Sequence, residues 1–151
     1  MPLASAGSAR NIQIPEKTRF EAKAYGLVGI NSDVRIVRAQ RADLDRVLEI
    51  LEEASRWLIS KGLETRWHPS PTFRQSILEN IDRGEVYVVK DLKATIGTIT
   101  LQWRDQKFWG DLPLDAGYVH KVAIKRSFSG QRLGLRMLQW AEVKARAEGK
   151  R

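Results

Sequence analysis

The most informative stretch for chemistry is residues 119–135, VHKVAIKRSFSGQRLGL, where an alternating apolar run passes into a basic, glycine-containing segment. The pattern predicts a strand, a loop and the start of a helix. Such a junction leaves backbone N–H groups unpaired at the positive end of a helix dipole. Gly130 and Gly134 allow close approach of the backbone to a ligand. Positive charge comes from Lys125, Arg126 and Arg132. The segment therefore predicts a pyrophosphate cradle.

Two common phosphate-binding motifs do not fit this segment. A Walker loop needs Gly-Lys followed by Ser or Thr, which the segment lacks. A dinucleotide fingerprint follows the first parallel strand of a βαβ unit. Here the preceding strands are joined by short turns, which favours antiparallel pairing.

The remaining pattern indicates which elements position the cradle. Apolar residues at three- and four-residue steps predict helices, and alternating runs predict strands. We expect Thr72 to cap the second helix. The predicted order is a strand over 34–38, a helix over 44–59, a helix from Thr72 to about Asp82, strands over 86–89, 95–103 and 118–124, and a helix over 133–148. A polar and aromatic loop is expected over 105–115.

Composition restricts the class of protein. The chain has 151 residues, 42% of them hydrophobic and 29% charged, which fits one soluble domain. It has no cysteine and two histidines, so disulfides, thiolate sites and a histidine metal cluster are excluded. No apolar run approaches the roughly 20 residues of a membrane span. We predict a cytoplasmic protein with a flexible leader over residues 1–32 and one domain over 33–151.

The net charge of +8 calls for an anionic partner. A basic surface attracts nucleic acid, anionic lipid and phosphorylated ligands alike. The charge is spread along the chain, with no block of five Lys or Arg. This distribution favours an anionic small ligand, and nucleic-acid binding stays as the less favoured alternative.

The cradle resembles the Arg/Gln-x-x-Gly-x-Gly/Ala signature of the GNAT superfamily of N-acetyltransferases. On that register Ser129, Arg132 and Gly134 occupy the three marked positions, and only Gly134 matches. Arg132 stands where the family usually has glycine. The resemblance runs from about Val34 to the end of the chain and includes RA...DL, WL..KG, GTITLQW and AGYVHKVAI. It implies an α/β (α+β) fold with a mixed, mainly antiparallel sheet flanked by helices.

The resemblance also implies a reaction and a set of cofactor contacts. The family transfers an acetyl group from acetyl-CoA to an amine by direct attack. Backbone groups of Val122 and Ile124 would pair with the pantetheine arm, and an N–H near Ala123 would polarise the thioester carbonyl. The loop that would hold the pyrophosphate comprises Lys125, Ser129, Gly130, Gln131, Arg132, Leu133, Gly134 and Leu135. A non-catalytic acetyl-CoA-binding module is the alternative.

Candidates for catalysis and acceptor binding lie just before the loop. An unperturbed imidazole titrates near neutral pH, which makes His120 a candidate general base. Tyr118 lies two residues before His120, so regular alternation of the strand puts both side chains on one face. A bulge, which the family is expected to have in this strand, would disturb that alternation. Trp109 and Asp115 are candidates for binding the amine. One interpretation has Trp57, Trp67, Trp103 and Trp109 lining an acceptor pocket around Asp111 and Asp115, but we favour the core for Trp57 and Trp103. No metal is expected.

The resemblance implies further elements after the last helix. In the family a strand, a helix carrying a frequent tyrosine general acid, and a final strand follow the phosphate loop and its helix. The chain ends at Arg151, so we expect a C-terminally incomplete domain. Three interpretations follow: a fragment of a longer enzyme, a domain completed by a partner chain or by exchange in a homodimer, or a binding module without turnover.

Overall fold

A four-stranded sheet forms the centre of the molecule. The computed structural model describes residues 34–92, 94–111 and 115–150, and the predicted leader over 1–32 lies outside them. The strands are adjacent in sequence order and every neighbouring pair is antiparallel. The mainly antiparallel sheet flanked by helices is therefore confirmed. The strands are β1 (Arg35–Arg38), β2 (Val86–Asp91), β3 (Ala94–Gln102) and β4 (Tyr118–Ile124).

Helices α1 (Leu44–Ser60) and α2 (Pro71–Asp82) cover one face of the sheet. Their apolar residues recur at three- and four-residue steps, which places them on a single stripe facing β2. Burying each such aliphatic side chain stabilises the fold by about 1.5–3 kcal/mol. The stripe packs Val47, Ile50, Leu51, Ile77 and Ile81 against Val86 and Val88.

The start of α2 differs from the prediction by two residues. The Phe73 N–H donates to Ser70 Oγ at 3.0 Å, so Ser70 is the N-cap and the assignment of Thr72 was wrong. Pro71 takes the first helical position, where its missing N–H has no intrahelical acceptor to lose. Thr72 lies inside the first turn.

Helix α3 (Leu133–Ala147) covers the opposite face of the sheet. Its buried stripe contacts β2 and β3, and the Tyr87 and Trp140 rings meet edge to face with centroids 4.6 Å apart. The buried residues of α3 in this layer are Leu133, Met137, Trp140 and Ala141. Because α3 is packed along its length, its first turn has a fixed position beside the end of β4.

The segment between β3 and β4 contains more structure than the predicted loop. Residues Gln106–Trp109 form one helical turn, and Gln106 Nε2 donates to Asp111 Oδ1 at 3.1 Å. Within the described ranges, no helix is long and apolar enough to cross a bilayer.

Candidate functional site

β4 contains a β-bulge at its centre. Thr98 of β3 lies opposite Ala123 and Thr100 lies opposite His120, so the two intervening residues of β4 oppose one residue of β3. The first of these two, Lys121, has a left-handed backbone with φ of 49°. That conformation costs a residue bearing a side chain about 1–2 kcal/mol. The bulge reverses the alternation of side chains beyond it.

The bulge places His120 and Ala123 on the same face of the sheet. Across β3, His120 shares a row with Val86 and Ala123 shares a row with Val88. Both valines pack in the core under α1 and α2, so both rows face those helices. Neighbouring rows on one face are about 7 Å apart, since each residue of a strand advances about 3.3 Å.

The backbone of β4 beyond the bulge offers hydrogen-bonding groups at the edge of the sheet. The Lys125 N–H donates to the Ile96 carbonyl at 2.8 Å. Because alternate residues of an antiparallel strand direct their backbone groups to opposite sides, Ala123 and Lys125 face β3. Val122 and Ile124 therefore direct their N–H and C=O groups away from β3. The edge N–H groups on either side of Ala123 are therefore those of Val122 and Ile124.

The loop after β4 contains two residues in the left-handed region. It begins with a 3₁₀ turn over Arg126–Phe128, and Gly130 and Arg132 have φ of 79° and 57°. Arg132 directly precedes α3. Glycine adopts this conformation without a steric penalty. The left-handed backbone at Arg132 therefore explains why the family signature usually has glycine at this position.

Helix α1 anchors this loop. The Arg126 N–H donates to Glu53 Oε2 at 3.0 Å. The Arg126 guanidinium carbon lies 4.3 Å from the centroid of the Trp57 ring, a cation–π contact. Both contacts hold the start of the loop against the C-terminal half of α1.

The first turn of α3 presents backbone donors and space. The Arg136 N–H donates to the Arg132 carbonyl at 3.1 Å, so the N–H groups of the residues between them precede the helical ladder. A Cβ added at Gly134 would meet only Ile124 Cδ1, at 3.8 Å, an ordinary contact. The space beside Gly134 is therefore available to a ligand.

A cleft of about 600 Å³ lies between α1, β4 and the first turn of α3, and we call it the β4 cleft. Its volume is in the range of small-molecule sites. Lys125 and Gln131 belong to the same loop but are not among the described residues that line it. The predicted residues that line it are Val122, Ala123, Ile124, Ser129, Gly130, Arg132, Leu133, Gly134 and Leu135.

The other wall of the β4 cleft is formed mainly by residues of α1 that sequence reasoning did not assign to the cofactor site. Trp57 is 37% exposed and lines the cleft, so its assignment to the core was wrong. Trp103 packs against the core on the α3 side, as expected. Residues of the wall continue the apolar stripe of α1, so their spacing resembles that of core residues. Arg126, expected as a positive charge of the cradle, also lines the cleft, and the added lining residues are Ala54, Trp57, Leu58, Trp67 and Phe128.

His120 is paired with a buried carboxylate that the sequence did not indicate. His120 Nε2 lies 2.7 Å from Asp105 Oδ2. The side chains are 27% and 5% exposed, respectively. Asp105 follows β3 after two residues and lies 15 positions before His120, so no local spacing links them.

Lys121 extends this polar region along the bulge. Burial lowers the pKa of the Lys121 amine, and the charge of Lys107 lowers it further. Glu85 and Asp105 oppose the shift as negative neighbours. The amine therefore loses its proton more readily than that of an exposed lysine.

The other predicted acceptor residues are placed differently. Tyr118 pairs with Gln102, two residues from the His120 row, and so shares the face of His120. Asp115 is exposed and is not among the described residues lining the β4 cleft. The side chain of Trp109 lies outside the described part. The described residues hold no group of three or more His, Asp or Glu suited to a metal.

Comparison with known proteins identifies the family of this domain. Residues 44–151 match the family model described as acetyltransferase (GNAT) family. An N-acetyltransferase of Bacillus subtilis named YesJ is 31% identical over 109 residues, covering 67% of this chain and 59% of the relative. The chain thus spans less than two thirds of the length of that relative.

Solved structures share the fold. An acetyltransferase of the GNAT family from Listeria monocytogenes is 25% identical, with a TM-score of 0.65 over 76% of this chain and 71% of that chain. The PaiA N-acetyltransferase from Thermoplasma acidophilum, solved with coenzyme A, has a TM-score of 0.63 at 16% identity, over 78% of this chain and 74% of that chain. With a family match over residues 44–151, the chain belongs to the GNAT acetyltransferase family.

Proposed function

We propose that this chain is the acetyl-CoA-binding domain of an N-acetyltransferase, which transfers an acetyl group to an amine by direct attack. The observation that carries the proposal is the continuity of the β4 cleft. The cleft joins a strand edge with outward backbone groups to a helix N-terminus lined by glycine and arginine. An amide-containing arm linked to a pyrophosphate requires these two features side by side.

The pyrophosphate would lie at the first turn of α3. Backbone N–H groups of residues 131–135 supply donors, and the helix dipole adds about half a positive charge at this end. Arg126 and Arg132 line the same part of the cleft and supply full charges. The space beside Gly134 supports close approach of the phosphate oxygens to the backbone.

The pantetheine arm would extend the sheet along β4. Its amides can pair with the outward groups of Val122 and Ile124, as a peptide adds to a sheet edge. The thioester carbonyl then lies near the Val122 N–H, which stabilises negative charge as it develops on that oxygen. Loss of one such donor costs about 10²–10³-fold in rate in other enzymes.

The acceptor amine would approach from the His120 side of the bulge. His120 and Ala123 share the face under α1 and α2, which supports His120 as the general base. Tyr118 remains a second candidate, because it shares that face. Contributions of Trp109 and Asp115 to amine binding stay predictions.

Calorimetric titration of the 151-residue chain with acetyl-CoA tests the proposal. We expect saturable binding that Gly134→Val weakens at least about tenfold, since losing one charge-assisted hydrogen bond costs about 1.5–3 kcal/mol. Leu138→Ala is the matched control, because Leu138 is exposed on the same helix and outside the cleft lining. Absence of acetyl-CoA binding by a folded chain, or salt-dependent binding of duplex DNA in its place, would overturn the proposal.

A further inference from the structure

The contact between Asp105 and His120 has features beyond those of a surface ion pair. Asp105 is among the few charged side chains buried in the described residues, with 5% side-chain exposure. A buried carboxylate is costly unless a donor partner compensates it. His120 Nε2 lies 2.7 Å from Asp105 Oδ2, so a protonated imidazole would be the charge partner that offsets this cost. The pair thus fixes one ring nitrogen of a histidine that remains 27% exposed.

Charged groups from several elements interact with Lys121, the residue after His120. Lys107 lies on the helical turn after β3, and Lys121 lies on the bulge. Glu85, just before β2, accepts hydrogen bonds from Asn80 Nδ2 at 2.7 Å and from Gln102 Nε2 at 2.9 Å. Lys121 interacts with Lys107, Glu85 and Asp105. Carboxylates and a second amine therefore act on the Lys121 amine, which is next to His120 in β4 and shares Asp105 with it.

The position of the pair relative to the acetyl group follows from the bulge. His120 and Ala123 lie in neighbouring rows of one face, about 7 Å apart. The proposed thioester carbonyl lies beside Val122 and Ala123. The two groups would thus be separated by one row along the strand, the distance that an acceptor amine has to bridge.

We propose that Asp105 is a positioning residue for amine deprotonation, a role that rests on the proposed acetyltransferase function. A carboxylate only accepts hydrogen bonds, so the 2.7 Å approach of Asp105 Oδ2 to His120 Nε2 favours the tautomer with the proton on Nε2. Nδ1 is then the nitrogen that receives a proton from the acceptor. The amine lone pair forms the C–N bond, the C–S electron pair leaves with sulfur, and the proton passes through Nδ1 to that sulfur. The products are an amide and coenzyme A as the thiol.

The first measurement is the tautomer of His120 in the unmodified chain. The chain has two histidines, so ¹⁵N-labelled imidazole signals can be assigned with His68→Gln. We expect the neutral ring of His120 to carry its proton on Nε2. A proton on Nδ1 in the wild-type chain overturns the proposal without any change at Asp105.

The second measurement is turnover by Asp105→Asn. The amide of asparagine can donate to Nε2 and so favours the opposite tautomer, which in serine proteases costs about 10⁴-fold in kcat. We expect kcat to fall by about 10²–10⁴-fold, an unchanged Kd for acetyl-CoA, and the Nδ1–H signal in the variant. Asp45→Asn is the matched control, because Asp45 is an exposed carboxylate paired with Arg74 at 2.8 Å.

The assay separates this inference from the proposed function. The chain has no cysteine, so thiol released from acetyl-CoA can be measured without background from the protein. The acceptors tested are spermidine, an aminoglycoside and a lysine-containing peptide. A wild-type chain that turns over none of them contradicts both proposals. A wild-type chain that is active, with Asp105→Asn retaining its kcat, overturns the positioning role alone. Asp105→Glu, which keeps a carboxylate, should recover part of the lost rate.

Discussion

The two ends of β4 differ in how their functional groups are assembled. At the C-terminal end, the loop and the first turn of α3 follow one another in sequence over residues 125–135. At the N-terminal end, His120 contacts Asp105, which belongs to the segment after β3. The first end offers mainly backbone donors, and the second offers side chains in a buried pair. Under the proposed function, cofactor binding and proton transfer would therefore have separate structural supports.

The largest expected effect is a contrast between substitutions at the two ends of β4, one lowering kcat and the other raising the Kd for acetyl-CoA. His120→Gln should lower kcat by about 10²–10⁴-fold and leave the Kd for acetyl-CoA unchanged, because general-base catalysis acts in the transition state. Gly134→Val should raise that Kd and have the smaller effect on kcat. Steady-state kinetics and calorimetry on both variants measure the separation. A loss of acetyl-CoA binding in His120→Gln would contradict it.

The anchor of the loop on α1 predicts a smaller effect on binding. Glu53→Ala removes the acceptor of the Arg126 N–H and should weaken acetyl-CoA binding about three- to tenfold, since a hydrogen bond contributes about 0.5–1.5 kcal/mol. Glu53→Gln is the matched control, because it keeps an acceptor and removes only the charge. Equal affinities for the two variants would assign the effect to charge. Calorimetric titration distinguishes these outcomes.

The left-handed backbone of Arg132 predicts a change in stability of about 1 kcal/mol. Arg132→Gly should be more stable than Arg132→Ala by that amount, because alanine keeps the steric cost at φ of 57° and glycine does not. Both variants lose the guanidinium, so the difference isolates the backbone term. Urea unfolding followed by circular dichroism gives the two free energies. A more stable alanine variant would contradict the assigned conformation.

The smallest effect concerns Lys121 and pH. Its pKa is lowered in the folded chain, mainly by burial, so between the folded and unfolded values the unfolded state binds more protons. Stability therefore rises with pH across that window, which ends near about 10.4, the usual value for lysine. Lys121→Met should be more stable than the wild type at pH 7 and should lose this advantage as pH rises through the window. Urea unfolding at several pH values measures the difference, and a difference that stays constant with pH would show that burial does not perturb the amine.

The sequence predicted the parts of the molecule that depend on local pattern. The apolar stripe of α1, the bounds of β4 and the junction at Gly134 follow from residue spacing and from glycine next to basic residues. The N-cap of α2 was misassigned because Ser70 and Thr72 are both capping residues two positions apart. Proline at the first helical position was the signal that favoured Ser70.

The missed features depend on tertiary packing. Trp57 continues the stripe of α1, and only the position of β4 shows that it faces a cleft. Asp105 is one of several polar residues in the segment after β3, and its burial and its contact with His120 appear only when that segment is folded against β4. The left-handed conformations of Lys121 and Arg132 likewise have no residue-type signal, because lysine and arginine rarely adopt them.

Mapping of acetyl-CoA on the backbone amides of the ¹⁵N-labelled chain is the decisive test of the cofactor site. We expect saturable shifts of the Val122 and Ile124 amides together with those of residues 130–135, since these lie along one cleft. Gly134→Val should suppress both groups of shifts at the same ligand concentrations. Shifts confined to basic residues outside the β4 cleft, with the amides of β4 unchanged, would contradict binding of acetyl-CoA in that cleft.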